Sequence, residues 1–413
     1  MIDLGRYGFA LTGPVGAAGA QFLLSLVLLR ILDPDSFGRF ALLLVIAQFS
    51  WGIWSALFCA PLPRLLSEAG SSVREAAVPG ILLANLAGVV LALPTFSVMA
   101  YLVNEPLGAA LAYAVFVSVS LLRWFARALA YAHGEQGKVV MSDLLYALIL
   151  IGGTAWLAVA PDALEVQAYA LLAMSVIVAL APFGMSYLPQ RSAGSMFSRL
   201  KAYGLIWNDY TRWSLMGVGA SELTANAHTY LVAFLIGPAA YAPIAATALL
   251  IRPVSVATNA LIELERARMA RLSGPDRRVK TVAMLRFFRL IIVLIVVTTA
   301  ALSAALLCYD PRLLYPAAYA PSLLALGTAL WIATIAVRVL PFPESALLQS
   351  LGAFRPLAMT GIWSALLSCV AVAAILAVAP PIWSIAGVFL GQALGAVLIW
   401  REARRWISGI GAP

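Results

Sequence analysis

Long apolar runs alternate with short polar breaks from one end of the chain to the other. The runs fall near residues 9–32, 39–61, 77–103, 108–130, 141–160 and 167–188, and again near 213–236, 242–262, 282–307, 320–340, 357–379 and 382–400. Each is about 20 residues or longer, the length a helix needs to cross the hydrocarbon core of a bilayer. The breaks are rich in Pro, Gly, Asp and Asn. Helix ends leave backbone N–H and C=O groups open, and in a membrane they can do so only where lipid gives way to water. The stretch "LLRILDPDSFGRFALLL", residues 28–44, is such a break, with Pro34 and Gly38 stopping one helix and restarting the next. The pattern predicts an all-α integral membrane protein of twelve transmembrane helices.

The same break occurs twice. Laid on "AFLIGPAAYAPIAAT" with an offset of 204, Leu32 falls on Ile236, Pro34 on Pro238, Phe37 on Tyr241 and Ala41 on Ala245. Arg64 falls on Arg268, each just beyond its second span. The halves are expected to be parallel repeats of six spans related by an axis along the membrane normal. The domains expected are an N-terminal six-helix bundle over 1–190, a cytoplasmic linker over 191–212, and a C-terminal six-helix bundle over 213–413 that ends in a short basic tail.

Composition agrees and charge adds orientation. Of 413 residues, 63% are hydrophobic and 11% charged, against roughly 25% charged in soluble domains. The net charge is +9, and its placement matters more than its size. One set of connections, taken with the amino terminus, holds 18 of the 27 Lys and Arg residues, and the other set holds 3. Cations collect in short cytoplasmic loops, so both termini are expected in the cytoplasm, and the basic segments need no nucleic acid to explain them. The first run is too long for a signal peptide. Cys59, Cys308 and Cys369 have neither metal-ligand nor redox spacing. No nucleotide loop, no nucleophile with a base and no large external loop is present, which argues against catalysis; no cofactor or metal is expected.

The informative residues are ionisable groups within spans, because each is costly unless it meets water or a partner. Arg252, in "LLIRPVSVATNALIELE", lies about ten residues from either end of its span. At about 1.5 Å per residue that is close to mid-membrane. Ser255, Asn259 and Glu263 follow it on one helical stripe, and Pro253 adds a kink and frees a carbonyl. Glu222 and Asn226 share a face of the seventh span, with His228 further out. Three roles stay open for Glu222: carrying a proton, helping to hold Na⁺, or neutralising Arg252. Arg123 and Arg127 stand one turn apart near the inner end of the fourth span, either snorkelling to headgroups or lining a vestibule that attracts an anion. Arg338, with Thr334 one turn earlier, carries the same ambiguity. Trp51, Trp54, Trp124, Trp207, Trp213, Trp383, Trp400 and Trp406 mostly suit an interfacial belt, and "TGPVGAAGA" in the first span suits close helix packing.

Two six-span halves, with "LLRILDPDSFGRFALL", "LVAFLIGPAAYAPIAA" and "RPVSVATNALIELERARMARL" at corresponding places, resemble the polysaccharide-export branch of the multidrug/oligosaccharidyl-lipid/polysaccharide (MOP) exporter superfamily. The resemblance implies two helix bundles around a central cavity, working by alternating access. It also implies a cargo of undecaprenyl-diphosphate-linked oligosaccharide, flipped to the outer leaflet of the bacterial cytoplasmic membrane for exopolysaccharide, O-antigen or capsule synthesis. Its partners would be that lipid, the bilayer and polysaccharide polymerase machinery, with coupling to a Na⁺ or H⁺ gradient or to membrane potential. Cavity arginines associated with the diphosphate in the related peptidoglycan-precursor flippases carry over to Arg252, and less closely to Arg123, Arg127 and Arg338, with Ser255 and Asn259 beside Arg252. Glu222, Asn226 and His228 are the ion-coupling candidates. The peptidoglycan-type members usually have fourteen spans, where this chain has room for twelve. The alternative is a cation-coupled multidrug exporter of the same superfamily, whose cavity should be rich in carboxylates and aromatics; here intramembrane cations outnumber acids.

Overall fold

The computed structural model of the chain describes residues 4–60, 62, 72–159, 165–187, 207, 211–270, 277–351 and 353–409; these are overwhelmingly helical, and no strand occurs among them. Six helices fill the first half: α1 Leu4–Ile31, α2 Pro34–Trp54, α3 Ser72–Leu102, α4 Leu107–Ala132, α5 Gln136–Val159 and α6 Glu165–Ala179. The second half holds α7 Arg212–Leu235, α8 Pro238–Ala248, α9 Arg252–Ala270, α10 Arg277–Tyr309, α11 Pro321–Val339, α12 Phe342–Ser350, α13 Phe354–Val378 and α14 Ser384–Gly409. The predicted span 242–262 is interrupted where α8 and α9 meet at the 3₁₀ turn Leu249–Ile251; the predicted span 320–340 is α11, and the short α12 follows it after Leu340–Pro341, beyond the predicted bounds. Residues 191–206 and 208–210, most of the expected linker, lie outside the described set.

Eleven helical stretches among the described residues are long and apolar enough to cross a membrane. The remaining predicted span is α7, which at 24 residues has the length but not the apolarity. Ser214, Ser221, Glu222, Thr224, Asn226, His228 and Thr229 all lie within it. The fold is therefore the all-helical membrane architecture that the hydropathy pattern predicts, with one span unusually polar.

Local chemistry sets the helix ends. Asp33 caps α2, its Oδ1 accepting from the N–H groups of Asp35 (2.9 Å) and Ser36 (3.2 Å). Pro34 and Pro238 open α2 and α8 at the first-turn position that tolerates a missing N–H. The offset of 204 holds to the residue at both helix boundaries: α1 ends at Ile31 and α7 at Leu235, α2 begins at Pro34 and α8 at Pro238. Asn104, at φ 66°, ends α3 in the left-handed region, and the Glu105 N–H turns back to the Ala100 carbonyl at 3.1 Å.

The chain divides into two compact units, one of Met1–Leu32 and Leu43–Val218, the other of Asp33–Leu42 and Gly219–Pro413. In the first, α1 packs on α5, α3 on α4, and α4 and α5 both on α6. Tyr113 lies at its centre, donating its hydroxyl to the Leu43 carbonyl at 2.8 Å and meeting Tyr169 edge-on at 5.4 Å. Trp54 belongs to this core rather than to an interfacial belt: it is buried, and its indole N–H donates to Asn85 Oδ1 at 2.7 Å. In the second unit α13 packs along α14, α9 on α12, and α8 and α14 on α11. Gly391 lets α14 approach α13 closely, since a Cβ there would meet the Ser364 carbonyl oxygen at 2.8 Å. The start of α2 also lies in this unit, with Gly38 against the backbone of Pro238.

Candidate functional site

The first unit buries a charged cluster. Arg123 and Arg127, one turn apart on α4, both reach Asp143 on α5, a residue with no exposed surface. Arg123 Nη2 donates to Asp143 Oδ1 at 2.6 Å, and its Nε to Ser142 Oγ at 2.9 Å. Ser142 is in turn fixed by donating to the Ala179 carbonyl at 2.6 Å. The Arg123 guanidinium lies 4.9 Å from the ring centroid of Tyr146, whose hydroxyl accepts from Gln21 Nε2 at 2.9 Å. Arg127 sits 5.9 Å from the ring of Trp124, which stacks on Trp51 at 5.7 Å. Neither arginine snorkels, and neither Trp51 nor Trp124 serves only as an interfacial anchor.

Depth makes this cluster expensive and specific. Asp143 comes seven residues after the start of α5, which at ~1.5 Å per residue is about 10 Å along the helix. A carboxylate there requires a cation and hydrogen bonds. Two guanidiniums on one carboxylate leave the cluster with a net charge of +1. Asp143, Ser142, Tyr146 and Gln21 escaped the sequence reading. A clue existed in the tight turn at 133–135: residues similarly distant from it on either side, such as 123 and 143, lie at similar depth in two antiparallel helices.

In the second unit polar groups gather along α7. Tyr230 donates its hydroxyl to Glu222 Oε1, and Asn226 faces the same carboxyl. The cation that attracts Glu222 is Arg338, from α11. Tyr241 lies within electrostatic reach of both Glu222 and Arg252. His228 is 2% exposed, packed edge-on against Trp331 at 5.2 Å, with Nε2 3.3 Å from Thr229 Oγ1 and Nδ1 without a partner. The Thr229 hydroxyl also donates to Tyr241 at 3.2 Å. A cavity of about 20 Å³, lined by Ala225, Ile251, Trp331, Thr334, Arg338 and Gln392 among others, opens between these helices. That is room for about one water molecule.

The expected stripe on α9 is reproduced in part. Arg252 is half-buried at the break between α8 and α9, its N–H donating to the Leu249 carbonyl as Pro253 tightens the turn. Ser255 is half-buried and Asn259 exposed, while the Glu263 side chain falls outside the described set. A further ion pair joins Arg289 of α10 to the buried Glu344 of α12. Neither this pair nor Tyr230 and Gln392 stands out in the sequence.

No family model and no curated protein sequence matches the chain. Solved structures match it over nearly its full length. An inward-facing multidrug resistance MATE family transporter of the MOP superfamily is 12% identical, with a TM-score of 0.70, covering 98% of both chains. An outward-facing multidrug resistance MATE family transporter of the MOP superfamily is 14% identical, with a TM-score of 0.61, covering 98% of this chain and 96% of that one. A MOP superfamily transporter from Pyrococcus furiosus, 14% identical with a TM-score of 0.61 and the same coverage, is described by the reverse polarity of its binding pocket, which suggests a different function. The chain has the all-helical fold of these MOP superfamily transporters.

Proposed function

We propose that the chain is a membrane transporter whose cargo is an undecaprenyl-diphosphate-linked oligosaccharide, flipped from the cytoplasmic to the outer leaflet by alternating access. One observation carries this reading: intramembrane cations outnumber their carboxylates in both units. Arg123 and Arg127 share Asp143, and Arg338 faces Glu222, with Arg252 in reach of the Tyr241 hydroxyl that also feels Glu222. Surplus cations within spans are tolerated beside water or an anion. The guanidinium fork suits a diphosphate, with which it makes paired, charge-assisted hydrogen bonds. A sugar head cannot cross hydrocarbon, while a prenyl tail can remain in it, so the protein need supply only a cationic polar route.

On this reading Arg252, Arg338, Arg123 and Arg127 are the diphosphate contacts, with Ser255 and Asn259 on the same route. Glu222, Asn226 and His228 form the seat for a coupling Na⁺ or H⁺. The protein would reside in the bacterial cytoplasmic membrane with both termini inside, serving polysaccharide synthesis and handing its cargo to polymerase machinery. A second reading, a cation-coupled multidrug exporter, is favoured by the names of the MATE neighbours. Against it stands the charge of the intramembrane groups. The Pyrococcus furiosus transporter, described by a pocket of reverse polarity, supports more than one pocket polarity on this fold.

Cells lacking the protein should accumulate unpolymerised lipid-linked units on the cytoplasmic leaflet and lose surface polysaccharide. In complementation, Arg252→Lys keeps the charge without the fork and should be partly active. Arg252→Ala should be nearly inactive, and Arg404→Gln in the exposed tail close to wild type. Normal polysaccharide together with new sensitivity to cationic dyes refutes the flippase reading and favours the exporter.

A further inference from the structure

Arg123 and Arg127 converge on a single atom, Asp143 Oδ1. The other carboxylate oxygen, Oδ2, is buried without a hydrogen-bond partner. It lies against Gly13 of α1, where an added Cβ would come within 2.8 Å of it. A guanidinium pair meets a carboxylate best through parallel contacts to both oxygens, and here half of that capacity is idle. Among the described residues the arginines also have donors to spare. Arg123 commits Nε to Ser142 and one Nη to Asp143, and Arg127 commits one Nη to Asp143. Neither has a buried nitrogen lacking a partner, and the two side chains keep 11% and 16% of their surface exposed while Asp143 keeps none. The carboxylate thus grips the pair from the buried side, and the remaining N–H groups stand on the accessible side.

We propose that Asp143 is a tethered stand-in for a phosphate, holding Arg123 and Arg127 together before cargo arrives and competing with the incoming oxyanion for them. This rests on the reading of those arginines as diphosphate contacts and adds that an internal competitor sets the affinity. A diphosphate offers several oxygens to the donors that a single Oδ1 leaves unused. Ser142 stays anchored on Ala179 and keeps Arg123 oriented during the exchange. No bond other than hydrogen bonds is made or broken.

The test uses purified full-length protein at low salt, titrated with inorganic pyrophosphate and with farnesyl diphosphate, read by calorimetry and thermal shift. Asp143→Asn keeps the shape and an acceptor oxygen but removes the charge. It should tighten pyrophosphate binding by roughly tenfold or more, the scale of a charge in direct contact. Glu135→Gln makes the same charge change in the turn before α5 and should alter binding less than about twofold. Arg127→Gln in the Asp143→Asn background should abolish the gain. If Asp143→Asn does not purify, Asp143→Ser carries the same expectation. A gain with farnesyl diphosphate as well marks a lipid-linked source for the anion; a gain confined to pyrophosphate keeps the competitor and removes the lipid. Binding that neutralising Asp143 leaves unchanged or weakens overturns this inference alone. No binding of either probe by any variant overturns it together with the cargo reading.

Discussion

Gly38 offers a sharp test of how the first hairpin packs. It is buried near the start of α2, and a Cβ built there would lie 2.6 Å from the Pro238 carbonyl carbon and closer still to its oxygen. Real Cβ atoms essentially never come within 3.0 Å of such neighbours, so Gly38→Ala forces the two backbones apart by at least about 0.4 Å, and by more to clear the oxygen. Both partners are backbone, and no side-chain rotamer can absorb the change. Overpacking of this kind costs about 1–3 kcal/mol. In an open helix the same substitution would instead stabilise by up to about 1 kcal/mol, because alanine is the better helix former. The two effects have opposite signs, which makes the experiment decisive. Thermal unfolding of the detergent-solubilised protein, followed by tryptophan fluorescence, should show Gly38→Ala falling by a few degrees. Gly137→Ala, near the start of α5 with nothing within 4 Å, should hold or rise. A Gly38→Ala protein as stable as wild type would falsify the backbone contact between α2 and α8.

Two further outcomes follow from individual side chains. Glu222→Gln keeps the volume that Tyr230 and Asn226 enclose but removes the charge facing Arg338; the protein should still insert, while transport falls on the order of tenfold, about 1.4 kcal/mol in a barrier, and loses its ion dependence. Unchanged flux with unchanged ion dependence would make the carboxylate merely structural. Asp33→Ala removes the α2 cap and should cost about 1 kcal/mol at neutral pH. Hydrogen bonds from Ser36, then from the backbone of Ser36 and Asp35, and the charge of Arg39 hold the Asp33 carboxyl below its usual value of 3.8. Its stabilisation is therefore complete above the unfolded value and lost as pH falls through the folded one. The gap between Asp33→Ala and wild type should be constant at neutral and mildly acid pH and close below about pH 4; a gap that persists there rejects the ionised cap.

The twelve helical stretches and the hairpin breaks were legible in the sequence because each is a local property. A run of apolar residues is costly outside lipid, and an open helix end is costly inside it, whatever the rest of the chain does. The offset of 204 was legible for the same reason, and the boundaries at Ile31 and Leu235, and at Pro34 and Pro238, keep it. Even α7, the most polar of the set, declared its unusual composition in one dimension. The partners of the charges were not legible. Arg123 and Arg127 fit snorkelling as well as a vestibule until Asp143 is placed between them on a neighbouring helix. Glu222 invited pairing with Arg252, while its hydrogen-bond partners are Tyr230 and Asn226 on its own helix and the charge of Arg338 on α11 attracts it. Coulomb and hydrogen-bond energies depend on separations of a few ångströms and on rotamers. Helix rotation and crossing, not sequence distance, set those separations. Tertiary packing alone also assigned Asp33–Leu42 to the second unit, since the pattern of a break and the run after it does not announce which neighbours the first turns of a helix will touch.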